Sequence, residues 1–172
     1  MSNLVLHPAV MLLFPAAMAF AASMDLFTMT IPNRVSLVLT GAYFALALAM
    51  GVPYAEVLSN LSCGFAILAG AFAMFAMGWI GGGDAKLAAA TALWLGWGKI
   101  FDYGVTAALL GGALTIVIIL MRKVSLPDIL SKQAWIARLH DAKAGVPYGL
   151  ALAAAGLIIY PQSQIFLAGA LR

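Results

Sequence analysis

Two aspartates stand beside long apolar runs in this chain, and each has unusual neighbours. Asp84 follows three glycines, Gly81-Gly82-Gly83, while Asp25 comes just after the first apolar run and is followed by Ile31-Pro32-Asn33-Arg34. Stripping the hydration from a carboxylate at membrane depth costs roughly 2.5–3.5 kcal/mol on insertion scales, so an acid in such a place calls for a functional explanation. Two carboxylates within hydrogen-bonding reach cannot easily both ionise, and the pair then shares one proton. The charged member can take a proton from water while the neutral member donates to a carbonyl oxygen, the acid–base chemistry by which aspartic proteases cut amides. Titration belongs to such a pair jointly.

Within the pair, a helix dipole at the start of the segment after Gly83 and the nearby Lys86 favour Asp84 as the more readily ionised member. The glycines give the backbone freedom and leave no side chains in the way of an extended peptide. Plainer roles exist for both acids: an Asp after glycines can simply cap a helix, and Asp25 can be an ordinary membrane-edge carboxylate. Their joint placement on one face favours the shared chemistry. Lys86 and Arg34 read as topology charges rather than catalytic groups. His7 and His140 fall on opposite sides of the membrane and neither pairs with a nucleophile. Gly-x-Ser-x-Gly and His-Glu-x-x-His patterns are absent from the sequence, which disfavours serine and metal chemistry, and neither a cofactor nor a metal is expected. The single cysteine, Cys63, lies in an apolar stretch and reads as a small core residue, without a disulfide framework or a Cys-x-x-Cys pair.

The elements that must hold these acids are membrane helices. Hydrophobic residues make up 65% of the 172 residues and charged residues only 9%, with a mean hydropathy of +1.05; a soluble domain carries about a quarter charged residues. The expected fold class is an all-α polytopic membrane protein of about six helices, since each crossing takes roughly 20 residues. They are expected at about 4–23, 35–50, 59–80, 85–98, 103–121 and 148–170, in one integral-membrane domain over 1–172. No Lys or Arg precedes Arg34, so the first apolar segment is expected to stay as a helix rather than be cleaved as a signal peptide. The short fourth helix opens at the glycine-rich break, which is tolerated where backbone is buried in protein or lines a wet cavity.

Arg34, Lys86, Arg122, Lys123, Lys132, Arg138 and Lys143 collect on one side of these spans, against Lys99 and Arg172 on the other. The cation-rich side is expected to be cytoplasmic, with both termini outside and both aspartates at the cytoplasmic face. The net charge of +3 is spread in ones and twos between apolar segments, so it reads as a topology signal and not as a nucleic-acid surface. The polar stretch 122–147 is expected to be a cytoplasmic loop with an amphipathic helix from Ser125, capped with the help of Asp128. Leu126, Ile129, Leu130, Ile136 and Ala137 would share its lipid-facing side, and Lys132 and Arg138 would lie off it. Trp79, Trp94, Trp97 and Trp135 fall near expected helix ends and read as interfacial anchors.

These motifs resemble the prepilin peptidase family of intramembrane aspartic proteases, whose hallmark Gly-x-Gly-Asp is matched by Gly81, Gly82, Gly83 and Asp84. Asp25 ahead of Ile31-Pro32-Asn33 resembles the family's first aspartate, and the likeness continues through Asp84-Ala85-Lys86-Leu87, Leu93-Trp94-Leu95-Gly96 and Lys143-x-Gly145-x-Pro147-Tyr148-Gly149. The resemblance implies Asp25 and Asp84 as the catalytic pair, with Gly81, Gly83, Lys86, Pro32, Asn33, Gly145, Pro147 and Gly149 as structural or substrate-loop positions. It also implies removal of the short basic leader of type IV prepilins and pseudopilins, after a glycine and just before their hydrophobic stem. The setting would be the cytoplasmic face of a bacterial inner membrane, with lipid and the pilus assembly machinery as further partners. The loop between the first two helices is short and the paired cysteines of bifunctional members are missing, so the resemblance does not extend to N-methylation. The compact form is similar to the CpaA- and TadV-like peptidases of tight-adherence (Flp) pilus systems, and more distantly to archaeal preflagellin peptidases. Two other functions compete with this one. A small proton-coupled transporter or channel would place its acids near the midplane in repeated halves, and a non-catalytic assembly subunit would need neither aspartate.

Overall fold

The computed structural model describes residues 3–170, and they form helices and connecting loops, without a β-strand among the described residues. Arg172 and the side chains of His7 and Asp128, which entered the sequence reading, lie outside what it describes. Five helices come first: α1 (Asn3–Thr28), α2 (Asn33–Ala49), α3 (Tyr54–Ala76), α4 (Gly82–Leu95) and α5 (Trp97–Arg122). Two short helices, α6 (Asp128–Ser131) and α7 (Ala134–His140), precede α8 (Tyr148–Ile159), a 3-10 turn (Tyr160–Gln162) and α9 (Gln164–Ala170). The segments Pro8–Thr28, Tyr54–Ala76 and Trp97–Arg122 are long and apolar enough to cross a membrane, and Asn33–Ala49 and Tyr148–Gln162 are shorter apolar helices. Large apolar side chains such as Leu48, Phe72, Phe101 and Leu109 are exposed on the outside of the bundle, as lipid rather than water would have them.

Several boundaries differ from the sequence expectation, each for a local reason. Helix α1 runs on past Asp25 to Thr28, because Ser23 and Asp25 lower the hydropathy without breaking the hydrogen-bond ladder. It ends at Met29, whose φ of 55° lies in the left-handed region, and whose N–H donates to the Asp25 carbonyl at 2.8 Å. Helix α3 starts earlier and ends at Ala76, where Gly78 with φ 75° reverses the chain. The N–H groups of Gly78 and Trp79 close onto Phe75 and Met74 carbonyls at 2.9 and 3.0 Å, the pairing that glycine makes available after a helix. The expected helix over 148–170 is interrupted by the turn that contains Pro161. The amphipathic helix expected from Ser125 is two short helices instead, since Leu126 precedes Pro127 and is biased away from helical geometry, and Gln133 is extended between them.

The core gathers around Trp94, which is 1% exposed. Its ring lies 5.3, 5.9 and 5.8 Å from those of Phe14, Tyr43 and Tyr160, and its indole N–H donates to the Leu39 carbonyl at 3.0 Å. This corrects the reading of Trp94 as an interfacial anchor: it joins α1, α2, α4 and the turn after α8. The neighbouring Trp97 is exposed and donates to Ser62 Oγ at 2.9 Å. Helix α4 packs against α3 closely enough that a Cβ at Gly64 would touch the Ala89 carbonyl oxygen at 3.4 Å, the small-residue contact typical of membrane helices.

Candidate active site

The residues of interest meet at one end of the bundle. Asp25, three residues before the end of α1, is 5% exposed, and its Oδ2 accepts the Leu150 N–H at 3.3 Å. The first turn of α8 therefore presents its free backbone donors to this carboxylate, the natural anion site of a helix N-terminus. Asp84 stands in the first turn of α4, half-buried, and its Oδ2 accepts the Gly81 N–H at 3.3 Å. Both carboxylates are thus held at helix starts, which removes the sequence-level asymmetry between them. Lys86 does not add to it either, since its Nζ donates to Asn33 Oδ1 at 2.9 Å.

Ile31 is the piece that brings the two helix starts together. It is 8% exposed; a Cβ at Gly83 would lie 3.1 Å from its Cβ and 3.3 Å from its carbonyl oxygen. A Cβ at Gly149 would collide with its Cδ1 and come within 2.8 Å of Asp25 Oδ2. The Ile31-Pro32-Asn33 segment is therefore wedged between α4 and α8, with Gly83 and Gly149 as its two seats. None of Gly81, Gly82 and Gly83 has a positive φ, so close approach, not backbone freedom, is what these glycines supply. At Gly81 the near neighbour is Asp84 Oδ2 at 3.0 Å, and at Gly82 it is the Phe75 ring at 3.3 Å. Among the remaining expected positions, Pro147 is fully buried and Gly145 has open space around it.

Sequence reading missed the roles of three residues. Arg122, taken for a topology charge, donates from Nε to the Leu139 carbonyl at 2.8 Å and from Nη2 to the Ala144 and Gly145 carbonyls at 2.9 and 3.0 Å. It ties the end of α5 to the loop that leads into α8. Arg138 does likewise for α1, donating to the Phe27 carbonyl at 2.9 Å, beside a Phe27–Trp135 edge contact at 5.4 Å. A basic residue in or beside a short polar segment carries no signal in sequence that distinguishes a loop clamp from a topology charge. The third is Tyr148, which lines a cavity of about 380 Å³ together with Asp84 and Tyr103. Its hydroxyl donates to the Ala107 carbonyl at 3.3 Å. Among the described residues no cluster of three or more His, Cys, Asp or Glu side chains could hold a metal ion.

The type IV leader peptidase family model matches residues 12–120. The chain belongs to that family, and with its apolar helices it is a membrane protease of the leader-peptidase type. No curated protein matches the chain, and no solved structure does.

Proposed function

We propose that this chain cleaves the short N-terminal leader of Flp-type prepilins by two-aspartate, water-activating hydrolysis at the cytoplasmic face of the bacterial inner membrane. The observation that carries the reading is the wedge of Ile31 between the starts of α4 and α8, which ties the two aspartates to one end of the bundle. In this reaction the ionised carboxylate takes a proton from water, and the protonated one donates to the carbonyl oxygen of the scissile peptide. Collapse of the tetrahedral gem-diol then breaks the C–N bond as the protonated carboxyl group gives its proton to the leaving amine and the ionised one takes a proton from a gem-diol hydroxyl, which restores the pair. The Leu150 and Gly81 N–H groups hold the carboxylate oxygens in place while their protonation alternates.

The membrane arrangement belongs to the same proposal. Helices α2, α4 and α8 cross together with the three longer spans, for six crossings. The end that holds Asp25, Asp84 and most cations faces the cytoplasm. The transporter reading gains no support, because both acids sit near helix ends rather than midway along them. Co-expression with a prepilin, scored for loss of its leader, tests the function. Leader removal that depends on this chain is expected, and an intact leader at normal membrane abundance of the chain would reject it.

A further inference from the structure

Two apolar grooves flank α3, both floored by α4. The one between α2 and α3, about 430 Å³, has Asn33 and Lys86 on its wall, and the hydrogen bond between those two residues spans its site end. The other, between α3 and α5, has Asp84 on its wall. Its sides run from Ala66 to Met74 along α3 and from Ile100 to Ala107 along α5, about 12 Å or two helical turns. The outer faces of both helices carry exposed apolar side chains, Phe72 on α3 and Leu109 on α5, so the groove opens sideways toward lipid. Gly70 and Gly104 face each other's helices across it, and a Cβ at either would meet no heavy atom within 4 Å. The space there is left empty by the fold.

We infer that the α3–α5 groove is the docking site for the first two turns of the substrate's apolar stem, entering laterally from the bilayer so that the preceding scissile bond comes to Asp84. This rests on the leader-peptidase reading above. An apolar helix laid in a groove offers side chains at every third or fourth position, and a cavity of about 380 Å³ takes those of one helix face. The groove's continuity with a candidate catalytic carboxylate is what separates it from its α2–α3 counterpart.

Gly70→Leu and Gly104→Leu place side chains in the groove from Cβ positions that meet no heavy atom within 4 Å, while Gly112→Leu, also with open space at its Cβ on α5, is the control. In vesicles of phosphatidylethanolamine and phosphatidylglycerol, with a prepilin bearing its leader and stem, each groove variant is expected to raise KM at least about tenfold. Its kcat should stay within about twofold, and the control should match wild type. Wild-type KM in both groove variants would overturn the inference. Failure of the wild-type chain to cut would reject the leader-peptidase reading instead, and the groove is then decided by cross-linking. Benzoylphenylalanine at position 104 of the Asp84→Asn chain is expected to join to the prepilin stem. Adducts confined to lipid or to a second copy of the chain would overturn the inference.

Discussion

Gly149 and Gly83 matter for what a methyl group would strike. At Gly149 it would meet Asp25 Oδ2 and the tip of Ile31, and at Gly83 the Cβ of Ile31 and the backbone that fixes it. Backbone cannot swing aside as a ring edge can, so the cost at Gly83 exceeds that at Gly82, whose neighbour is Phe75. Overpacking of this kind costs about 1–3 kcal/mol. Gly149→Ala and Gly83→Val are expected to lower leader cleavage at least about tenfold at equal membrane abundance. Gly145→Ala, with open space, and Gly82→Ala should lose much less. Wild-type rates in Gly149→Ala and Gly83→Val would show that Ile31 is not a wedge the reaction depends on. The motif glycines are conspicuous in the sequence, but their partner is not, because the Ile31 contact joins residues far apart in the chain. The same holds for Trp94: near a helix end it reads as interfacial, and only the approach of α1, α2 and the turn after α8 makes it the centre of the core.

At the scale of elements, the segment 122–147 acts through the loop it delivers. Arg122 grips three carbonyls there, and hydrogen bonds from a charged donor contribute about 1.5–3 kcal/mol each. Two residues after the last of them, Pro147 immediately precedes α8, whose Leu150 N–H reaches Asp25. Arg122→Gln is expected to speed amide exchange across 139–150 and to reduce cleavage several-fold. Arg122→Lys should restore little, since an ammonium cannot reproduce the planar fork. Unchanged exchange in Arg122→Gln would remove the clamp from the account. Hydropathy alone located this polar segment between apolar helices, because its composition is a local property. Its division into α6 and α7 depends on Pro127 and on the pull of Trp135 and Arg138 toward α1, and the latter is a tertiary effect.

For the whole molecule, the charges and the motifs agree about one end. Asn33, Lys86, Arg122 and Arg138 make their contacts at the end that holds both aspartates, whereas Lys99 pairs with Asp102 and Gln162 at the other. That partition was legible because successive apolar helices separate the cations along the chain. The extent of α1 was not, since a hydropathy window stops at Ser23 and Asp25 where the backbone ladder continues. A cysteine at Gln133 on a Cys63→Ser background is expected to react with a membrane-impermeant maleimide only after the cells are opened. One at Glu56 should react in intact cells, and the reverse pattern would invert the topology. Chelators are expected to leave the activity unaltered, because the proposed chemistry uses two carboxylates and water; loss in EDTA with recovery on added Zn²⁺ would contradict that.

The central claim is that Asp25 and Asp84 act as one unit, and leader removal by Asp25→Asn, Asp84→Asn and the double variant, reconstituted at equal amounts with a prepilin, tests it most directly. An amide can neither take up the proton nor carry the charge, and groups that act together have non-additive effects. Each single variant is expected to lose at least about a thousandfold in kcat/KM while remaining folded in the membrane, with the double variant little worse than either. Substantial cleavage by either single variant, or losses that multiply in the double, would contradict the account.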